Sequence, residues 1–202
     1  MVKCGIRGFL VSQNGQDFII GKAKIEEVLQ YTMYTERLIV AYDDETPIYN
    51  NHVQRKIDKS RVEKIADFLI NDETATFPTN VVLGIPQNMI ESQSLSNEGI
   101  INLVFKDKVV EEVVKAKCGD TYADIYVSII DGQHRIRGIE VAIDRLRAMI
   151  DKSGDDMAPY WQDKLTNLLN IELVVSCFID KTLEYQAMIF STINRTRSEE
   201  RR

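Results

Sequence analysis

Ala123-Asp124-Ile125-Tyr126-Val127-Ser128-Ile129-Ile130 runs straight into Asp131-Gly132-Gln133-His134-Arg135, and the reading of that junction decides the fold. The residues up to Ile130 are rich in β-branched and aromatic side chains and predict a strand. Beyond Arg135, Ile136, Ile139, Val141, Ile143, Leu146 and Ile150 recur near a helical period, with Arg137, Glu140, Asp144 and Arg147 between them. Gly132 therefore stands where a strand becomes a helix that runs to about Ile150. The first turn of a helix has unpaired backbone N–H groups and a partial positive charge, so it attracts anions. An imidazole and a guanidinium added there make a phosphate seat.

Working outward, Phe9-Leu10-Val11 and Asp17 to Ala23 flank an Asn14-Gly15 turn and predict a hairpin over about 9–24. A helical or mixed stretch covers Ile25 to Tyr34. A helix is expected from Lys59 to Ile70, with Ser60 and Glu63 as a capping box and Val62, Ile65, Ala66 and Leu69 as its apolar stripe. Asn80 to Ile85 reads as a strand stopped by Pro86, Gln87 to Gly99 as a loop, and Ile100 to Phe105 as a further strand. Pro159 suits the first turn of a helix to about Leu169. Ile171 to Ile179 is a buried strand, and Thr182 caps a last helix to about Ile193. Strands and helices alternate irregularly, which predicts an α/β (α+β) domain with its chemistry at strand ends. One domain over 1–202 is expected, with its core at about 50–196.

The composition, 44% hydrophobic and 28% charged, is that of a chain able to bury a core. No apolar run approaches the roughly 20 residues of a membrane helix, and the first residues carry no secretory pattern. Cys4, Cys118 and Cys177 are odd in number and scattered, which suggests reduced thiols in the cytoplasm, with Cys177 buried in its apolar run. A net charge of −6 weighs against broad, charge-driven nucleic-acid binding. The last segment, Asn194 to Arg202, is read as a frayed terminus despite its arginines.

An isolated arginine on a helix face is usually just solvated. Here Asp131, Gly132, Gln133, His134 and Arg135 share one turn at the end of an apolar strand, where polar groups are costly unless used. Gly132 allows close backbone approach, while His134 and Arg135 would contact phosphate oxygens. Asp131 would hold a hydrated metal ion or orient an arginine, and Gln133 would position a water or read a base edge. A second cluster from His52 to Arg61, including Arg55, puts cations near a helix start. A third carries Asn194 and Arg195 at a helix end. Gly15 to Lys22 resembles a P-loop but has five residues between its glycines where four are required, so it is structural. Zinc spacing, GxSxG and HExxH are absent from the sequence.

These three clusters together resemble the DGQHR-motif proteins, a branch of the ParB/sulfiredoxin-like superfamily that includes DndB-type proteins of DNA phosphorothioate modification and relatives in 7-deazaguanine modification clusters. The resemblance spans roughly Gln54 to Thr196. It is carried by Gln54-Arg55, Phe77-Pro78, Asp131 to Arg135 with Gly138, and Phe190-Ser191-Thr192-Ile193-Asn194-Arg195-Thr196. It implies a ParB/sulfiredoxin-like mixed sheet flanked by helices, with Gly132, His134 and Arg135 as phosphate contacts. ParB-like proteins carry Gly-x-Arg-Arg at this turn and sulfiredoxins Gly-Cys-His-Arg. Gln133 replaces the sulfiredoxin cysteine, which excludes sulfinic-acid reductase chemistry. Such proteins are often longer than this chain.

The expectation is a cytoplasmic protein that binds ATP or another nucleoside triphosphate with Mg²⁺ in DNA modification or phage defence, with ATPase activity as an open extension. Asp131, Gln133 and His134 would be the catalytic groups, Asp131 the metal ligand, and Gly132, His134, Arg135, Arg55, Asn194 and Arg195 the nucleotide contacts. DNA and DNA-modification enzymes are the expected partners, and the oligomeric state stays open. Two alternatives remain: a non-catalytic DNA-binding regulator, and a metal-dependent nuclease pairing Asp131 with Glu63 or Asp58.

Overall fold

The computed structural model describes residues 4–43, 46–50, 57–180 and 182–199. It opens with the expected hairpin: strands β1 (Gly5–Gln13) and β2 (Gln16–Lys24) are antiparallel. Their turn has φ of 51° at Asn14 and 73° at Gly15, the two positive values that a tight twisted hairpin demands. Helix α1 (Ile25–Tyr31) follows, shorter than the stretch to Tyr34, and then a separate two-stranded sheet of β3 (Leu38–Asp43) and β4 (Thr46–Asn50). The remaining elements are α2 (Lys59–Asn71), β5 (Val81–Ile85), β6 (Ile90–Leu95), β7 (Ile100–Phe105), α3 (Asp107–Lys117), β8 (Ser128–Asp131), α4 (Gln133–Lys152), α5 (Ala158–Asn170), β9 (Glu172–Ile179) and α6 (Leu183–Glu199).

Seven strands form one mixed sheet in the order β6-β7-β1-β2-β9-β5-β8. Every neighbouring pair is antiparallel except β5 with β9. The architecture is thus mixed α/β, as the pattern of the sequence implies. Side chains alternate across a strand, so Leu173, Val175 and Cys177 of β9 enter the core while Val174 is exposed. That core face is filled by Val28 and Tyr31 of α1, Ile136, Ile139 and Ile143 of α4, and Leu165 and Leu168 of α5. Helix α6 lies over the other face: a Cβ on Gly84 would come within 2.9 Å of its Gln186.

Helix α2 packs across α4 because Gly138 has no side chain. A Cβ there would sit 2.4 Å from Ile65 Cγ2. This crossing fixes which face of α2 turns toward the start of α4.

Several sequence expectations need correction. The strand at the junction begins at Ser128, not at Ala123. Ala123, Ile125, Tyr126 and Val127 are buried, and side chains take three backbone groups of this segment. Thr32 Oγ1 donates to the Val127 carbonyl at 2.7 Å, Arg37 donates to that of Ala123, and the Asp124 N–H donates to Glu112 Oε2 at 2.9 Å. The presumed loop from Gln87 to Gly99 contains strand β6, an outer edge exposed along most of its length, so no apolar alternation marks it. Helix α2 is capped by Asp58, whose Oδ1 accepts from the Arg61 N–H at 3.2 Å; Ser60 lies inside the helix and is no cap. The terminus read as frayed is helical through Glu199. Helix α3 and the β3–β4 hairpin have no counterpart in the sequence reading. Thr182 does cap α6, its Oγ1 accepting from the Tyr185 N–H at 3.3 Å.

Candidate functional site

Strand β8 delivers the junction. Ile129 and Ile130 are buried, and Asp131 closes the strand opposite Val82 of β5. Gly132 then turns the chain with φ of 102°, a conformation that L side chains rarely adopt. Helix α4 starts at Gln133, and no side chain caps it. Its positive end therefore stays open toward whatever lies in front of it.

A cleft of about 530 Å³ lies there. It gathers Asp131, Gly132, Gln133, His134 and Arg135 from the junction, Arg61 and Ile65 from α2, Phe77 and Thr79 from the approach to β5, and Phe190 and Asn194 from α6. Six of the residues expected from the sequence thus line one space. Arg55 lies outside the described residues, as does His52. Arg195 is in α6, but its side chain is likewise outside the description.

The junction side chains are not equivalent. Arg135 is a fastener. Its Nη1 donates to the Thr79 carbonyl and, at 3.0 Å, to Thr79 Oγ1, while Nη2 donates to the Asn80 carbonyl at 2.6 Å and pairs with Asp131 Oδ2 at 3.4 Å. With its side chain 12% exposed, this guanidinium binds the entry of β5 to the end of β8. Gln133 Nε2 reaches back to the Ile129 carbonyl at 3.1 Å. His134 Nε2 accepts from the Asp58 backbone N–H at 3.1 Å, so the ring is neutral with its proton on Nδ1. Burial lowers the His134 pKa, and the nearby Arg61 charge lowers it further.

Arg61 is the exposed cation of the cleft; its backbone N–H belongs to the Asp58 cap, and its guanidinium makes no hydrogen bond or ion pair among the described residues. The sequence reading included it only as the end of a cationic stretch. The signal was its spacing: Arg61 stands one turn before Ile65, so both belong to the face that packs toward α4. Phe77, Thr79 and Phe190 were also missed as site residues, although Phe77 and Phe190 belong to the motifs that carry the resemblance.

The carboxylates of the nuclease reading do not converge. Glu63 is ion-paired with Arg145 and lines a different cleft, and Asp58 caps α2. Among the described residues no group of three or more His, Cys, Asp and Glu side chains is placed to hold a metal ion. Asp131 is the one carboxylate on the 530 Å³ cleft, 8% exposed and engaged by Arg135. A second cleft among the described residues is larger, at about 680 Å³, but Arg37, Lys59 and Arg137 are matched there by Glu36, Glu63 and Asp120. Its lining is balanced in charge, so the smaller cleft is the better anion site. Among the described residues no helix is long and apolar enough to cross a membrane.

The DndB family model, described as DNA-sulfur modification-associated, matches residues 8–201. No curated protein and no solved structure matches the chain. With nearly its whole length covered, including every junction and cleft residue described above, the chain belongs to the DndB family of DNA-sulfur modification-associated proteins.

Proposed function

We propose that the cleft at the start of α4 binds a nucleoside triphosphate in the service of DNA-sulfur modification. The observation that carries this is the side-chain-uncapped start of a 20-residue helix opening into a cleft that also holds the exposed Arg61. Backbone N–H groups and a nearby cation are what phosphate oxygens require. A space of about 530 Å³ is also of ligand size rather than of duplex size. Gly132 lets phosphate approach the backbone, Arg61 supplies charge, and His134 offers Nδ1–H. Arg135 holds the turn rather than the ligand. Mg²⁺ arriving with the nucleotide would rest mainly on its phosphates, because the cleft supplies a single engaged carboxylate. Hydrolysis would call on Gln133 to orient water, and on positioning and charge more than on a nucleophile.

The test is calorimetric titration of ATP, CTP and GTP with Mg²⁺ into the wild type and Arg61→Ala, with phosphate release followed in parallel. Loss of one charged hydrogen bond predicts affinity weaker by about tenfold in Arg61→Ala. Nucleotide binding that is absent, or unchanged in a folded Arg61→Ala, would overturn the proposal. The family's DNA association, with Lys59 and Lys64 exposed beside Arg61 on α2, favours one second reading: a regulator gripping the DNA backbone. Steep salt dependence of DNA binding without any nucleotide effect would mark that case.

A further inference from the structure

Phe190 is 45% exposed yet faces a polar cleft, and Asn194 follows it by one helical turn on the same face of α6. Phe77 lines the same cleft from the approach to β5, its ring held edge-on by Phe68 at 6.2 Å. The site therefore has two ends of different chemistry. Around the start of α4 it is polar and suited to phosphate, and at Phe77 and Phe190 it offers flat apolar surface. The amides are also committed in one sense. Asn194 Nδ2 donates to the Phe190 carbonyl at 2.9 Å, and Gln133 Nε2 donates to that of Ile129 at 3.1 Å. Their carbonyl oxygens, Asn194 Oδ1 and Gln133 Oε1, have no partner among the described residues. What remains on offer is hydrogen-bond acceptance.

Resting on the nucleotide reading, we infer that Phe77 and Phe190 form a base-stacking platform and that Asn194 Oδ1 selects a base bearing an exocyclic amino group. Every nucleobase has a π-face, so the rings supply affinity without choosing among bases. An acceptor chooses. It pairs with an amino group such as that of adenine and is left facing another acceptor by the keto group of hypoxanthine, a mismatch that costs the full desolvation of both.

The experiment titrates ATP, ITP and inorganic tripolyphosphate into the wild type, Phe190→Ala, Phe190→Leu and Asn194→Leu, with thermal melting as the check on folding. ATP should bind wild type about tenfold more tightly than ITP, and ITP in turn more tightly than tripolyphosphate. Asn194→Leu should bring ATP to the level of ITP. Phe190→Ala should lower both nucleotides toward tripolyphosphate and leave tripolyphosphate itself unchanged, with Phe190→Leu in between. Equal affinity of ATP, ITP and tripolyphosphate for wild type would overturn the base-reading inference while leaving the phosphate seat standing. If none of the three binds, the nucleotide reading falls as well. A folded Phe190→Ala or Asn194→Leu that keeps the wild-type ratios also overturns the inference.

Discussion

His134 Nε2 accepts a hydrogen bond from the Asp58 backbone N–H at 3.1 Å, so the starts of α4 and α2 hold one another. Protonation of the ring would abolish that acceptor. Burial, followed by the Arg61 charge, sets the folded pKa below the ordinary 6.5, with Asp58 and Asp131 opposing. Above pH 6.5 the ring is neutral in both folded and unfolded chains, and the bond contributes in full. As pH falls through 6.5, the unfolded chain takes up the proton first. Stability then declines until the folded ring is protonated too. Urea unfolding at about pH 7.5 and about pH 5.5 should show a larger loss of midpoint in wild type than in His134→Gln. Equal losses would show that this contact is not the sensor.

Arg135→Ala should destabilise the fold by roughly 3–5 kcal/mol, because the buried Asp131 carboxylate would lose the guanidinium paired with it. The Thr79 and Asn80 carbonyls would lose their donor in the same step. Asp131→Asn leaves those two contacts in place and should cost less, about 1–2 kcal/mol. Chemical denaturation of both variants gives the comparison, and a milder Arg135→Ala than Asp131→Asn would reverse the assignment of Arg135 as fastener.

Gly138→Ala is expected to cost about 1–3 kcal/mol, since its new methyl would overlap Ile65. The displaced α2 would carry Arg61 with it, so nucleotide affinity should fall although Gly138 is remote from the phosphate seat. Adding Ile65→Ala should recover part of the lost stability, a non-additivity that a double-mutant cycle on thermal melts would expose.

Thiol labelling of the native protein should proceed at Cys118 alone. Cys118 is exposed, whereas burial pushes the Cys177 thiol up to about 12 and that of Cys4 to about 11. The thiolate is the reactive form, so both would label only on unfolding. Mass spectrometry after brief treatment with an alkylating reagent distinguishes the sites.

The junction was readable because three independent signals coincide there: a β-branched run, a glycine and a helical period. Strands β5 and β9 were readable as apolar stretches, being buried in the middle of the sheet. Elements at the periphery were not. Strand β6 carries Glu91, Ser92, Gln93 and Ser94 on an outer edge, and such a sequence looks like a loop when no neighbour covers it. Helix α3 buries only Val109 and Val113, too narrow a stripe to stand out. At the cleft, the residues adjacent in the chain were legible and those brought from afar were not. The spacing of Arg61 from Ile65 gives it a face of α2, but that this face meets the cleft depends on Ile65 meeting Gly138, 73 residues further on. The role of Arg135 was hidden for the same reason, because its acceptors at Thr79 and Asn80 lie 56 and 55 residues away.

Strand β2 finds its outer neighbour only in β9, and Lys22 meets Glu172 across 150 positions of the chain. During synthesis the N-terminal hairpin must therefore wait, with one raw edge, until the roughly 150 residues that separate β2 from β9 have followed it out of the ribosome. The parallel partner of β5 arrives at that same late moment, and α6 comes after it. Closing such distant pairs is slow and leaves strand edges open to other chains. The wall bearing Phe190 and Asn194 thus assembles after the sheet it covers, and nascent chains that have not yet exposed α6 should be prime clients for chaperones before they are competent for any ligand.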